Sequence, residues 1–411
     1  MSDSQQQISN LKNHVILFSI LVITNFFVGG MVGLERTLLP LIAEADFGIT
    51  SSVAALSFIA TFGVTKASVN FFAGSLSDHW GRVRVLQTGW VIAIPIPLIL
   101  MYADHWYWIL FANVLLGVSQ ALTWSMTVVM KVDIAGEKQR GLAIGLNEFA
   151  GYGGVAVVAF ITGLIATNYG LRPEPFYVGL VIVVIGLLLS TIVKDTRHHA
   201  HGITEKLSTQ KVLAKPMPLS QVFKKTTWQD SGLSSASLAG LVTNLKDGML
   251  WGLLPLFLYS KGYSATQIGI VVGTYPAVWS TAQLIFGPLS DKIGRKMIIA
   301  AGMFTQGVGL LAFVWFENYQ GYILAAATVG LGTAMVYPTL LALVSDLSGV
   351  SWRASALGIY RFWRDLGYAI GAIATGILAD ALDIPTSMVI VSLLAFFASL
   401  FVVFRVKEQK D

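Results

Sequence analysis

Twelve apolar runs follow one another along the chain, broken only by short stretches that carry charge, glycine or proline. Each run holds the roughly 20 residues that a helix needs to cross the hydrocarbon core of a bilayer. The breaks predict helices at roughly 14–42, 50–76, 82–103, 106–131, 140–168 and 174–194, and then at roughly 231–260, 266–290, 295–316, 320–345, 353–380 and 386–406. Such a chain has too little polar surface to fold in water. Only 12% of its 411 residues are charged and 55% are hydrophobic, against roughly 25% charged in an ordinary soluble domain. The fold class predicted is an all-α membrane protein with twelve transmembrane helices.

Several chemistries are removed at once. The chain has no cysteine, so disulfides and thiolate sites are excluded. Its histidines, His14, His79, His105, His198, His199 and His201, fall in predicted loops or at a helix end. No zinc-protease, nucleotide-binding or nucleophile-elbow motif occurs, and neither a metal nor a cofactor is expected. The net charge of +5 follows from topology: all but Arg172 and Lys261 of the loop Lys and Arg residues lie on the side of the N-terminus. The positive-inside rule therefore places both ends and the long central loop in the cytoplasm, and no nucleic-acid partner is needed. The polar stretch 195–230 reads as a linker between an N-terminal unit, 1–194, and a C-terminal unit, 231–411. Within it, Ser220–Trp228 is predicted as a short helix on the membrane surface, and the His198-His199-x-His201 cluster reads as solvated linker.

An internal repeat organises the two units as pseudo-symmetric six-helix bundles. Gly74-Ser-Leu76-Ser-Asp78-His-Trp-Gly81-Arg82 recurs as Gly287-Pro-Leu289-Ser-Asp291-Lys-Ile-Gly294-Arg295, 213 residues later. Gly117, Asp133, Arg140 and Gly145 recur at the same offset as Gly330, Asp346, Arg353 and Gly358. Parallel duplicated halves of this kind put a substrate site between them at mid-membrane. In the first copy Gly74 permits close helix contact, Gly81 permits a tight turn, and Asp78 suits a neighbouring helix N-terminus. Arg82 and Arg84 are placed to meet an acid at the end of the fourth helix, for which Asp133 is the candidate. Together these residues form a breakable latch.

At these residues the chain resembles the major facilitator superfamily of secondary transporters, whose loop signature Gly74 to Arg84 matches and whose second copy, Gly287 to Arg295, is also present. The resemblance covers the whole chain. It implies alternating access by rocking of the halves about one central site, with the Asp78 turn holding the outward-facing state. It departs from the proton-coupled drug exporters of the superfamily at Asn113, where those carry arginine, and at Gly151-Tyr-Gly153-Gly154, which lacks their proline.

Ionisable groups inside spanning segments cost about 2.5–3.5 kcal/mol each even on the lenient insertion scale, so they mark pathways, pairs or proton sites. Nine are predicted: Glu35, Arg36, Lys66, Glu148, Lys246, Asp247, Arg361, Arg364 and Asp365. By the resemblance, helices two and eleven face one another, so Lys66 and Asp365 are candidates for an interhelix pair. Helix one lines the cavity in that family. Arg36 in helix one and Lys246 and Asp247 in helix seven are accordingly the leading substrate and coupling positions, joined by Glu35, Asn147, Glu148 and Arg361. Glu148 and Arg361 share a repeat position, and a structural salt bridge is the alternative role for Glu148. Trp124 and its repeat counterpart Tyr337, with Trp251, Tyr275 and Trp279, are candidate substrate contacts or packing residues. Pro95, Pro97, Pro276 and Pro338 are expected to kink their helices.

The function expected is proton-coupled efflux of a small organic solute across a bacterial-type inner membrane by a monomer, with protons, the solute and the bilayer as its partners. The alternative is uptake of a small organic anion by symport or uniport. A membrane-embedded enzyme is a remote third reading, because no nucleophile or metal set is present.

Overall fold

The structure is a computed structural model that describes residues 3–135, 140–196, 217–349 and 352–407; the side chains of 3–14, 74, 75, 78, 140, 141 and 354 lie outside that description. The first bundle comprises α1 (Asp3–Arg36), α2 (Ser57–Trp80), α3 (Arg82–Ala93), α4 (Trp106–Ala135), α5 (Arg140–Tyr169) and α6 (Tyr177–Ile192). The second comprises α7 (Ser231–Ser260), α8 (Ala265–Ile293), α9 (Arg295–Trp315), α10 (Tyr319–Leu347), α11 (Arg353–Ala381) and α12 (Ile384–Arg405). By length and composition, nine of the described helices are apolar enough to cross a bilayer. The other three long ones, α2, α7 and α11, carry Lys66, the pair Lys246 and Asp247, and the group Arg361, Arg364 and Asp365. The least apolar spans are therefore those that face the seam between the bundles.

The repeat is visible in where helices begin. α3, α4 and α5 start at Arg82, Trp106 and Arg140, and α9, α10 and α11 start 213 residues later at Arg295, Tyr319 and Arg353. The turn before α3 has Gly81 at φ 97°, and the turn before α9 has Gly294 at φ 97°. A side chain would be strained there, which explains why the motif needs a glycine at this point in both copies.

Two expectations change. The first span is broken: after Arg36 the helix stops, and it resumes as Leu39–Ala45. Pro40 causes this, since its ring collides with the carbonyl four residues earlier, that of Arg36, and it offers no donor to that carbonyl. The predicted surface helix at 220–228 appears as Leu219–Lys224 followed by a wider turn, Lys225–Gln229. It docks on the second bundle, with Trp363 Nε1 donating to Thr227 Oγ1 at 3.1 Å and Val222 fully buried. The His198–His201 cluster lies outside the described residues. Pro95 opens a second segment of the third span, Pro95–Tyr102, whereas Pro276 and Pro338 sit inside continuous helices.

The two bundles meet along α2 with α11 and along α5 with α8. At the end remote from the chain termini the contact is tight. A Cβ on Gly163 would stand 2.5 Å from the Ala265 carbonyl oxygen, and one on Gly376 would stand 2.6 Å from Val53 Cα. Toward the termini α5 and α8 part: the nearest neighbour of a Cβ on Gly145 is a Leu284 methyl at 3.9 Å.

Candidate transport site between the two bundles

At the termini end, Arg82 forms an ion pair with Asp133, as the motif predicts. Thr196 Oγ1 donates to the same carboxylate at 2.6 Å. The second copy repeats the device: Arg295 pairs with Asp346 at 3.2 Å and with Asp291 at 2.5 Å. Arg84 is exposed and lines a depression together with His79, Gln87 and Asp195. Gly74 and Asp78 fall at positions whose side chains lie outside the described residues. Gly287 packs in α8, with Pro338 beside it.

Midway between the bundles a cavity is lined by Lys66 and Asn70 of α2, Trp124 of α4, Glu148 and Tyr152 of α5, Tyr337 of α10, and Arg361 and Arg364 of α11. The repeat converges here. Glu148 and Arg361 are equivalent positions, as are Trp124 and Tyr337, Lys66 and Trp279, and Tyr152 and Asp365. Tyr152 stacks on Trp279 across the seam with ring centroids 3.4 Å apart, and its hydroxyl meets that of Tyr337 at 3.5 Å. Glu148 Oε1 accepts from Trp124 Nε1 at 2.9 Å and from Asn147 Nδ2 at 3.1 Å.

The expected pair of Lys66 with Asp365 is not formed. Arg364 takes Asp365 with two N–H groups, at 2.9 and 2.7 Å, and gives a third to Tyr337 Oη at 2.7 Å. Asn70 Nδ2 fills the other carboxylate oxygen at 2.8 Å. The fork geometry of a guanidinium on the neighbouring residue wins over a point charge on another helix. Lys66 is left with its ammonium 5.4 Å from the ring centroids of Phe62 and Trp124. Neither Lys66 nor Arg361 has an ion pair among the described residues, so the cavity wall carries surplus positive charge.

Four other candidates, Lys246, Asp247, Arg36 and Glu35, stand away from this lining. Lys246 spends its three donors on Asp247 Oδ1 at 2.6 Å, Tyr275 Oη at 2.8 Å and Thr333 Oγ1 at 2.8 Å, and Tyr275 also donates to Asp247 Oδ1 at 2.5 Å. The pair is fully buried. Arg36 is fully buried as well, in a box of rings: its guanidinium carbon lies 4.5 Å from Trp251, 4.8 Å from Phe62 and 5.7 Å from Phe58. None of its three nitrogens, and neither oxygen of Glu35, has a hydrogen-bond partner among the described residues. Trp251 in turn stacks on Tyr368. These groups plug the seam on the sealed side of the cavity.

Sequence reasoning missed four residues. Lys131, at the end of the predicted fourth helix, lies in α4 fully buried, with its ammonium 3.2 Å from the Leu21 carbonyl oxygen. Asn70 and Tyr368 carried no charge to draw notice. Asn25 links α1, α4 and α5 by accepting from Thr127 Oγ1 at 2.8 Å and donating to the Asn147 carbonyl at 2.6 Å. A polar amide within an apolar run was the available signal for both asparagines.

Hydrogen bonds across the seam lock the remote end. Asp380 of α11 accepts from Ser51 Oγ at 2.7 Å, Ser52 N at 2.5 Å and Val53 N at 3.2 Å. Thr266 of α8 meets Thr167 of α5 with both its amide and its hydroxyl at 2.8 Å.

Known proteins share this architecture. The xylose transporter XylE from E. coli, in an inward open conformation, superposes with a TM-score of 0.75 over 96% of this chain and 97% of that chain, at 14% identity. The multi-drug resistance efflux pump PmrA of Streptococcus pneumoniae is 21% identical over 92% of each chain. An uncharacterized MFS-type transporter of Methanocaldococcus jannaschii, MJ1560, is 20% identical over 89% of this chain and 92% of its own. The family model for the Major Facilitator Superfamily matches residues 21–245 and again residues 236–411. With twelve long helices among the described residues, an ion-paired turn that recurs in both halves and a cavity between the two bundles, the chain belongs to the Major Facilitator Superfamily and is a multi-pass membrane transporter.

Proposed function

We propose that this transporter exports a small organic solute bearing an anionic or strongly hydrogen-bond-accepting group across the inner membrane, driven by protons. One observation carries the reading: Lys66 and Arg361 line the cavity between the bundles with no ion pair among the described residues. Unpaired cations at membrane depth call for a counter-charge, and a substrate supplies one. The units 1–194 and 231–411 rock about the seam as a monomer, joined by the 195–230 linker, and both termini are cytoplasmic. In that orientation the sealed end is the outer one and the cavity is reached from the cytoplasm, the side from which an exporter loads. Likeness to PmrA, an efflux pump, supports the direction. Transport rather than an enzymatic step is the activity proposed.

Uptake of an organic anion is the second reading, favoured by the same two cations. Everted and right-side-out vesicles with an imposed pH gradient separate the two. Accumulation in everted vesicles that a protonophore abolishes is the expected result. Accumulation only in right-side-out vesicles would establish uptake, and accumulation that survives the protonophore would remove proton coupling.

A further inference from the structure

The cavity wall holds an oxygen that the described residues leave unmet. Glu148 Oε1 takes two N–H donors, from Trp124 and Asn147, while Oε2 is buried with no hydrogen-bond partner among the described residues. Buried polar atoms are nearly always satisfied, and an exception on the wall of a binding cavity points to a ligand. Two donors on Oε1 fix the carboxyl in orientation, and a carboxylate only accepts, so what a carboxylate lacks at Oε2 is a donor.

The surroundings fix what else the missing molecule carries. At the repeat-equivalent position on α11 stands Arg361, which lines the cavity with Lys66. Arg364 and Asp365 satisfy each other and make no such demand. The wall between these charges is aromatic: the Tyr152 ring lies 5.3 Å from Trp124 and 5.9 Å from Tyr337.

We propose, resting on the transport reading above, that the substrate is an organic acid that also carries a hydrogen-bond donor, a hydroxyl or an amino group, on a flat body. Its anionic group meets Lys66 and Arg361, its donor meets Glu148 Oε2, and its body lies against Tyr152 and Trp124. A lipophilic cation would set its charge against two unpaired cations. An acid without the donor leaves Oε2 buried and unmet, and loses roughly tenfold or more in affinity for that reason.

The test is thermal-shift binding on the purified full chain. Each donor-bearing acid is paired with its parent: 4-hydroxybenzoate and 4-aminobenzoate with benzoate, 4-hydroxyphenylacetate with phenylacetate, and a wider panel of hydroxy and amino acids built in the same way. Their neutral methyl esters and tetraphenylphosphonium complete the set. Donor-bearing acids are expected to raise the melting temperature more than their parents, with the esters and tetraphenylphosphonium inactive. Lys66→Met and Arg361→Met should weaken both members of a pair alike. Glu148→Met should erase the preference within a pair while parent acids still bind; Glu148→Gln, whose carbonyl stays with the Trp124 and Asn147 N–H groups and so turns its NH2 toward the substrate, should erase it as well. Stabilisation by tetraphenylphosphonium but by no acid overturns the proposal, as does a Glu148→Met protein that keeps the full preference, or a panel in which no donor-bearing acid binds folded wild type. Vesicle flux stands apart from these readouts. An intact acid preference without proton dependence overturns the coupling alone, and proton-driven flux with a cation preference overturns the substrate class alone.

Discussion

Arg36 and Lys246 show how differently two buried cations can be treated by one fold. Lys246 has three polar partners within 2.8 Å, whereas Arg36 has three aromatic rings and, among the described residues, no hydrogen-bond partner. Breaking a buried ion pair strands a charge and costs about 3–5 kcal/mol, while replacing both members by apolar residues is often neutral. Lys246→Met alone should therefore lower the melting temperature sharply, and Lys246→Met combined with Asp247→Leu should recover most of the loss. A double variant less stable than the single one would show that the pair is held by more than mutual neutralisation. For Arg36 the expectation reverses. Each ring contributes about 0.5–2 kcal/mol of cation–π attraction, which burial of an unpaired charge offsets, so Arg36→Gln should leave the melting temperature unchanged. It should still slow transport, because Arg36 sits in the seam that must part when the remote end opens. A clear fall in melting temperature would assign Arg36 a structural acid instead.

Helices carry the duplicated latch, and the two copies are not equally strong. Arg82 is 8% exposed and pairs with Asp133, whereas Asp291 and Asp346, the partners of Arg295, have side chains 62% and 49% exposed. Exposed pairs contribute about 0–1 kcal/mol, so Arg82→Gln should impair transport at equal expression far more than Arg295→Gln. Equal effects would mean that burial does not set the strength of the latch. These pairs were legible in the sequence because a repeat at a fixed offset names both partners. Helix positions were legible too, since charge and glycine bound the apolar runs: α7 spans Ser231–Ser260 as predicted. Partner choice within the membrane was not. Lys66 and Asp365 do lie on facing helices, but the competing Arg364 and Asn70 depend on how α2 and α11 are rotated, which composition does not encode. The burial of Lys131 was hidden for a similar reason: the predicted fourth helix ends at about 131, whereas α4 runs on to Ala135, so a base at the expected helix end is buried in the bundle.

Across the whole molecule, the two bundles are pinned at one end and less closely packed at the other, and alternating access requires that pinning to be reversible. Thr167 and Thr266 sit on opposite bundles with their hydroxyls 2.8 Å apart, a separation that brings the two Cβ atoms within reach of a disulfide. The chain has no cysteine of its own, so Thr167→Cys with Thr266→Cys introduces the only thiols present. Oxidation of the double variant should arrest transport completely, reduction should restore it, and either single variant should be indifferent to both treatments. Substrate binding from the termini end should survive the lock, because the cavity lies on the other side of the pinned contact. Asp380→Ala complements this from the opposite direction: it removes three hydrogen bonds across the seam and should favour opening of the remote end, making a single cysteine at position 167 or 266 react faster with an impermeant thiol reagent added from that side. Transport that continues at full rate with the disulfide formed would mean that the bundles do not part between α5 and α8, and that the substrate leaves by another route.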